Sequence, residues 1–405
     1  MKKSLLSLLI YSLLASLSSC INDHLPKEDA RQKIQSAVEI IRKNLSDTLG
    51  VPFPSLSLII QTPTDKIFVS SRAEAGQVVT PDTYFRFGSE TKNFTATAIL
   101  NMWEDGWLDY KAKITDVIPG SKLSYVPDTP DWDFPYKNEI TIEQLMQHAA
   151  GVFDIDNDPN ALSYTETIQK ADPTHQFTTG EMVKVLTQKK LSSFMPGKGY
   201  QYSNMGYSIL AEIIERVYTQ KAGTAKTYAD YMKDYITGDN TPVPLPKIHF
   251  PFLASDIRMP DPHLSSTLLW PTGPETFDKY NMSAQLGGGN GYGTMEELHK
   301  YIRTLMKGEN VLRPATVQLM QKNVSAAYPT YGLGCFSTPN LGYGHNGSML
   351  GCLNLMAYDP DHDVSVVVMV PLADFRSIKL LLTCSNAMLE AAYAARVALG
   401  YPGKP

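Results

Sequence analysis

The sequence predicts an α+β fold: an antiparallel sheet flanked by N- and C-terminal helices, with a mostly α-helical domain inserted into it. Three observations predict this. Two short β runs follow the first helical pattern, near residue 60. Four further strand-like runs crowd the final third, just before a last helix. Between these groups, residues from about 110 to 280 read as helix and loop with many prolines. The chain has 405 residues, 43% hydrophobic and 19% charged, enough to bury a large core and typical of a globular protein.

The elements can be justified in order. Lys2 and Lys3 precede a short apolar run, Leu5 to Leu17, and then Leu17-Ser18-Ser19-Cys20. Residues 1–19 therefore read as a secretory signal, and small residues before a cysteine resemble a lipoprotein signal, with cleavage before Cys20 and a lipid on its thiol. The apolar run is too short for a comfortable transmembrane helix. Residues 20–26 read as a lipid-anchored tether. From Lys27 to Leu49, apolar residues recur at helical spacing (Ile34, Val38, Ile41, Leu45) until Gly50 stops the pattern. Ser55–Gln61 and Lys66–Ser71 are strands joined by Thr62-Pro63-Thr64-Asp65.

Ser89–Trp103 reads as a helix apolar over most of its surface, which belongs in the interior. Helical patterns recur at Thr141–Gln147, Thr179–Lys189 and Met205–Val217. An Asp-rich loop (Phe153–Asn160) and a Pro-rich stretch (Thr241–Pro274) interrupt them. After the Gly287–Gly291 loop, Thr294–Met306 is helical. Tyr331–Phe336, Tyr343–Ser348, Cys352–Tyr358 and Val364–Val370 follow as strands, and Ser377–Leu399 closes the chain as a helix. This order predicts a sheet domain of residues 27–75 plus 281–405 and a mostly helical domain of residues 76–280, with the functional site at their interface.

Several function classes drop out. Net charge is −5 and the charges are mixed, with no Lys/Arg-rich run to bind nucleic acid. After Cys20 only Cys335, Cys352 and Cys384 remain, so at most one bridge can form and three buried thiols are the simpler expectation. Asp359-Pro360-Asp361-His362-Asp363 starts like a calcium loop, but Val364 and Val370 occupy its glycine and glutamate positions. The Gly287–Gly291 loop lacks the Lys-Ser/Thr of a phosphate loop, and neither Gly-x-Ser-x-Gly nor His-Glu-x-x-His occurs. No metal and no cofactor are expected.

Three words remain. In Ser89-Glu90-Thr91-Lys92, residues three apart on a helix share a face, so a lysine whose pKa burial lowers can take a serine proton. A helix N-terminus there also turns backbone N–H groups toward a developing oxyanion. In Tyr202-Ser203-Asn204, following a Pro-Gly turn, a tyrosinate near cations can act as base and an asparagine amide can bind a substrate amide. Tyr136-Lys137-Asn138 matches the pattern but lacks that context. In His345-Asn346-Gly347, glycine admits close approach to a strand, and His345 can hold a substrate carboxylate or meet the tyrosine hydroxyl.

Together these words resemble the class C β-lactamase-like serine hydrolases, which include DD-peptidases and related esterases. Val79–Gly88 leading into Ser89 is similar to the family's approach to its nucleophile. Thr95-Ala96-Thr97-Ala98, Leu145–Gly151 and Tyr331-Gly332-Leu333-Gly334 resemble further landmarks, so the likeness covers about residues 26–399. The resemblance implies Ser89 as nucleophile, Lys92 as its proton partner and Tyr202 as general base and then acid. It also implies Asn204 on the acyl side, His345 lining the leaving-group side, Asn346 and Gly347 among the substrate-binding residues, and an oxyanion hole from the backbone of Ser89 and Ser348. His148 is expected to pack rather than react.

One departure matters: class C β-lactamases carry Lys-Thr-Gly where this chain has His-Asn-Gly. A lasting cation is replaced by a titratable imidazole. The expectation is thus a monomeric, lipid-anchored serine hydrolase of the cell envelope, acting as a D-alanyl-D-alanine carboxypeptidase on a cell-wall peptide. The alternatives are a β-lactamase, a carboxylesterase or, in another class, a penicillin-binding sensor or inactive binding lipoprotein.

Overall fold

The computed structural model describes residues 27–72, 78–156 and 163–405. The expected signal segment, Cys20 and the tether lie outside the described residues.

In chain order, α1 (Lys27–Leu49) leads into the hairpin of β1 (Ser57–Gln61) and β2 (Lys66–Ser70), and then β3 (Tyr84–Arg86) and α2 (Thr91–Glu104). The central region holds α3 (Ile142–Met146), α4 (Tyr164–Ala171), α5 (Thr179–Lys189), α6 (Asn204–Ala222) and α7 (Tyr228–Tyr231), followed by a hairpin of β4 (Ser266–Trp270) and β5 (Gly273–Phe277). The last part contains β6 (Tyr292–Thr294), α8 (Met295–Lys307), α9 (Pro314–Lys322) and β7 (Phe336–Thr338). It ends with β8 (Gly342–Met349), β9 (Cys352–Asp359), β10 (Val364–Val370), β11 (Leu372–Asp374) and α10 (Ile378–Ala398).

Both ends of the chain build one antiparallel sheet, ordered β2-β1-β10-β9-β8-β7. The central strand β10, Val-Ser-Val-Val-Val-Met-Val, is buried along its whole length because both its faces are covered. Val364, Val366, Val368 and Val370 join a core shared with α1 and α10, while Val367 and Met369 join a second core reaching α8 and α2. The strand period of two explains the split.

Helix α2 lies inside the larger core, with Phe94, Ala96, Ala98, Ile99, Leu100 and Met102 fully buried. Phe94 stacks on Tyr301 at 3.6 Å between ring centroids, tying α2 to α8. The nucleophile candidate sits just before this helix, in a 3₁₀ turn spanning Gly88–Glu90.

Two local expectations change. Tyr331–Phe336 is loop for most of its length, because Gly334 takes φ +66° and Gly332 is pressed against the carbonyl of Met320; the strand begins only at Phe336. The Pro-rich stretch ends in the β4–β5 hairpin, whose first strand pairs in parallel with β11. The described cysteines, Cys335, Cys352 and Cys384, are buried free thiols.

Candidate active site

Four segments converge on Ser89. Gly88 takes φ +53°, and a Cβ there would lie 2.6 Å from the Ser348 carbonyl oxygen, so glycine lets the turn press against β8. From that turn α2 begins, and Lys92 Nζ donates to Ser89 Oγ at 3.0 Å. The same ammonium nitrogen donates to Asn204 Oδ1 at 2.7 Å and to the Gly288 carbonyl at 2.6 Å. Lys92 is fully buried. Burial pushes its pKa from 10.5 down to about 7, against the pull of the Asp154 carboxylate. Near neutral pH, therefore, a free amine stands within a hydrogen bond of a serine hydroxyl.

Tyr202 and Asn204 flank the N-cap of α6. Ser203 has extended backbone and its Oγ accepts from the Gly206 N–H at 3.1 Å, so the same word also caps the helix. The Tyr202 hydroxyl is hydrogen-bonded to Ser89, and its ring centroid lies 4.7 Å from Lys92 Nζ. Burial keeps the phenol well above its ordinary range. This corrects the expected tyrosinate: the cation needed to stabilise it is itself titrating, so Tyr202 rests as a neutral phenol that can relay a proton.

The third word is placed differently from the first two. Strand alternation turns His345 and Gly347 inward and Asn346 and Ser348 outward. His345 is 1% exposed; its Nε2 shares a hydrogen bond with the Tyr331 hydroxyl at 3.0 Å and its Nδ1 lies 2.5 Å from the Asn346 carbonyl oxygen. Its ring is 6.5 Å from that of Tyr202, and burial beside Lys92 pushes its pKa down to about 3. The imidazole is thus neutral and buried beside Tyr331, and it does not line the cleft that holds Ser89. Asn346 borders a separate cavity of about 180 Å³ under α10. Gly347 bears on the site through the backbone, since a Cβ would lie 2.0 Å from the Phe87 carbonyl oxygen. Ser348 reaches the cleft that holds Ser89 and Asn204.

Other residues in the assembly were given no chemical role by the sequence. Asp154 Oδ2 accepts from the Asn204 N–H at 2.7 Å, fixing the start of α6 beside Lys92. Glu90, adjacent to the nucleophile candidate, is fully buried, and desolvation raises its pKa well above the carboxylate range. With its amide nitrogen turned toward them, Asn354 donates to the Phe87 carbonyl at 3.0 Å and to the Glu90 carboxyl oxygens at 2.9 and 3.1 Å. This ties the Ser89 turn to β9. Tyr207 and Tyr331 lie behind Tyr202, joined at 3.3 Å, and His148 packs among all three rings. Its Nδ1 accepts from the Ser203 N–H at 3.1 Å. A buried tyrosine or aspartate leaves no pattern in a single sequence, because its partners come from distant segments.

The cleft has a volume of about 940 Å³ and runs from Ser89 past Ser348 to α4 and the β4–β5 hairpin. Its lining cations among the described residues are Lys170 and Lys279, and Lys170 pairs with Glu166 at 2.6 Å.

Comparison with known proteins adds a family and a fold. A family model described as Beta-lactamase matches residues 53–375. Penicillin-binding protein 4* of Bacillus subtilis is 30% identical over 154 residues, 38% of this chain and 28% of that protein. Protein flp of Staphylococcus aureus is 26% identical over 214 residues, 51% of this chain and 36% of that protein. The matched stretch thus spans about a third of the length of these relatives. Among solved structures, a D-amino acid amidase from Ochrobactrum anthropi, complexed with D-phenylalanine, superposes with a TM-score of 0.68. It shares 18% identity, over 92% of this chain and 99% of that one. A penicillin-binding protein homologue from Pyrococcus abyssi, described as octameric, gives 0.67 at 20% identity, over 92% and 78%. At these identities the structural likeness speaks for the fold.

Proposed function

The chain belongs to the beta-lactamase family of serine hydrolases, and on that premise we propose that it forms an acyl-enzyme at Ser89 with D-aminoacyl peptides or amides, in the manner of a D-alanyl-D-alanine carboxypeptidase. One observation carries the reading: a lysine amine titrating near neutrality lies 3.0 Å from the Ser89 hydroxyl.

The chemistry follows from these positions. Lys92, as free amine, accepts the Ser89 proton directly or through the Tyr202 hydroxyl. Ser89 Oγ then bonds to the substrate carbonyl carbon. The backbone N–H groups of Ser89 and Ser348 are the candidates to hold the oxyanion. As the carbonyl carbon–nitrogen bond breaks, the proton returns through Tyr202 to the departing amine. Water then repeats the sequence on the ester, giving a free acid and restoring Ser89. Asn204, already oriented by Lys92, offers its amide N–H₂ to the acyl side.

A second reading is favoured by the missing cation. A carboxypeptidase must accommodate its substrate's terminal carboxylate, yet His345 is neutral and buried, and the cleft cations lie out beside α4 and β5. An uncharged leaving group, as in an amino acid amide or an ester, suits this cleft better. A superposable fold described as a D-amino acid amidase is consistent with that. Location in the cell envelope through a lipid on Cys20 is part of the proposal. Labelled palmitate retained by the wild type and lost in Cys20→Ser would support it, and equal labelling would refute it.

Intact-mass measurement with a labelled penicillin, beside turnover of a D-alanyl-D-alanine peptide and a D-amino acid amide, tests the reaction. A Ser89 adduct and hydrolysis of either D-substrate support the reading; amide turnover without peptide turnover selects the second form. Ser89→Ala behaving like wild type on all three would overturn both.

A further inference from the structure

Resting on that reading of Ser89, we propose that the acyl half of the substrate is a bulky hydrophobic group and that the β4–β5 hairpin selects it. The cleft leaves Ser89 along the Ser348–Leu350 end of β8, away from His345, with Asn204 on its border. Its volume of about 940 Å³ is at the upper end for sites that enclose a drug-sized ligand. An acetyl or a single alanyl group would leave most of it unfilled.

The hairpin forms one wall by register. Ser266 pairs with Phe277, Leu268 with Glu275 and Trp270 with Gly273. Paired residues, and residues two apart, share a face of a sheet. Leu268, Trp270, Glu275 and Phe277 therefore stand on one face, and all four line the cleft. Leu269 points the other way into the core between the sheet, α1 and α10. Ser266 Oγ donates to the Leu350 carbonyl at 2.7 Å, fastening the hairpin to the β8–β9 turn.

Trp270 Nε1 donates to Glu275 Oε2 at 3.1 Å, which satisfies the indole N–H and leaves the ring as an apolar surface. Leu253 and Ile257 extend the same lining, and buried Arg86 holds that loop by donating to the Ile257 carbonyl at 2.8 Å. The facing wall is polar but internally paired: Glu166 with Lys170, and Asp156 with Ser163 and Thr165. The apolar face is thus a large part of the cleft that gains from a ligand only by being covered with apolar atoms.

The test uses the full chain and p-nitrophenyl acetate, butyrate and octanoate, corrected for spontaneous hydrolysis. The expected result is a rise in kcat/KM of at least tenfold from acetate to octanoate. Trp270→Ser with Phe277→Ser should cut the octanoate-to-acetate ratio below threefold. A flat or falling profile in the wild type overturns the proposal, as does an unchanged ratio in the folded double variant. Binding to Ser89→Ala, which cannot be acylated, gives a readout without turnover. N-octanoyl-D-alanine p-nitroanilide should bind at least tenfold more tightly than the N-acetyl compound by calorimetry, and equal affinities refute the idea. If Ser89→Ala hydrolyses acetate like wild type, the nucleophile assignment has failed, and the octanoyl preference is judged by binding alone.

Discussion

Activity should fall on acidification along a limb centred near pH 7, and Lys92 should be the group that sets it. Its Nζ is fully buried against Ser89, Asn204 and the Gly288 carbonyl, and its pKa stands at about 7 instead of 10.5. That difference penalises the charged form by about 5 kcal/mol. At pH 6 roughly one tenth of the molecules would carry the free amine, and at pH 8 roughly nine tenths, so kcat/KM should rise about tenfold between them. An ordinary lysine would give a continuing rise to beyond pH 10. Asp154 supplies the opposing pull that raises the Lys92 pKa. Asp154→Asn should therefore move the limb to lower pH, by the order of one unit, while its remaining oxygen can still accept from the Asn204 N–H. The assay is initial-rate hydrolysis of p-nitrophenyl acetate from pH 5 to 9 at constant ionic strength. A flat profile between pH 6 and 8, or a limb moved upward in Asp154→Asn, would refute the assignment, as would a Lys92→Arg variant of full activity.

Other outcomes follow from the same geometry. Tyr202→Phe should lower kcat by about 10² to 10⁴, the range for losing a positioned proton-transfer group, with KM nearly unchanged in steady-state kinetics. Gly347→Ala would place a Cβ 2.0 Å from the Phe87 carbonyl oxygen and 2.3 Å from the Asn354 side-chain amide. Pushing β8 off the Ser89 turn should cost on the order of 10² in kcat/KM, while circular dichroism shows a folded protein. Asn354→Ala strands the buried Glu90 carboxyl and should cost about 1–3 kcal/mol in urea unfolding. His345 and His299 are both pushed down to about 3 by burial. Between about pH 6.5 and 3 the unfolded chain binds more protons at these sites, so their contribution to stability is present above pH 6.5 and lost as the pH falls toward 3. His299→Gln should flatten that decline in unfolding free energy; an equally steep decline in the variant would count against a neutral buried imidazole.

Much of the fold was legible because it is written in local periodicity. The spacing of Ile34, Val38 and Leu45 gives α1, and the apolar run of β10, interrupted only by Ser365, follows from burial on both faces. The β4–β5 hairpin was not legible. Its first strand, Ser-Thr-Leu-Leu-Trp, does not alternate, because Leu268 faces the cleft and Leu269 the core, so both positions are apolar. The prolines around it also read as loop. In the site, Ser89, Lys92 and Tyr202 could be named because their spacing brings known chemistry together. His345 could be named, but its environment could not be read: burial beside Lys92, with Tyr331 hydrogen-bonded to its ring, keeps the imidazole neutral.

The α+β class, the family resemblance and the candidate residues for acyl transfer were all legible in the sequence, since motifs and periodicity are matters of order and spacing along the chain. The tertiary structure decided the ionisation and the shape. Lys92 titrates near neutrality because segments distant in sequence bury it in a dry interior, which outweighs the upward pull of the Asp154 carboxylate. The cleft is apolar on one wall because β11 pairs with a hairpin about a hundred residues away. Both effects arise from desolvation by segments far apart in sequence, and no local pattern encodes which segments will meet.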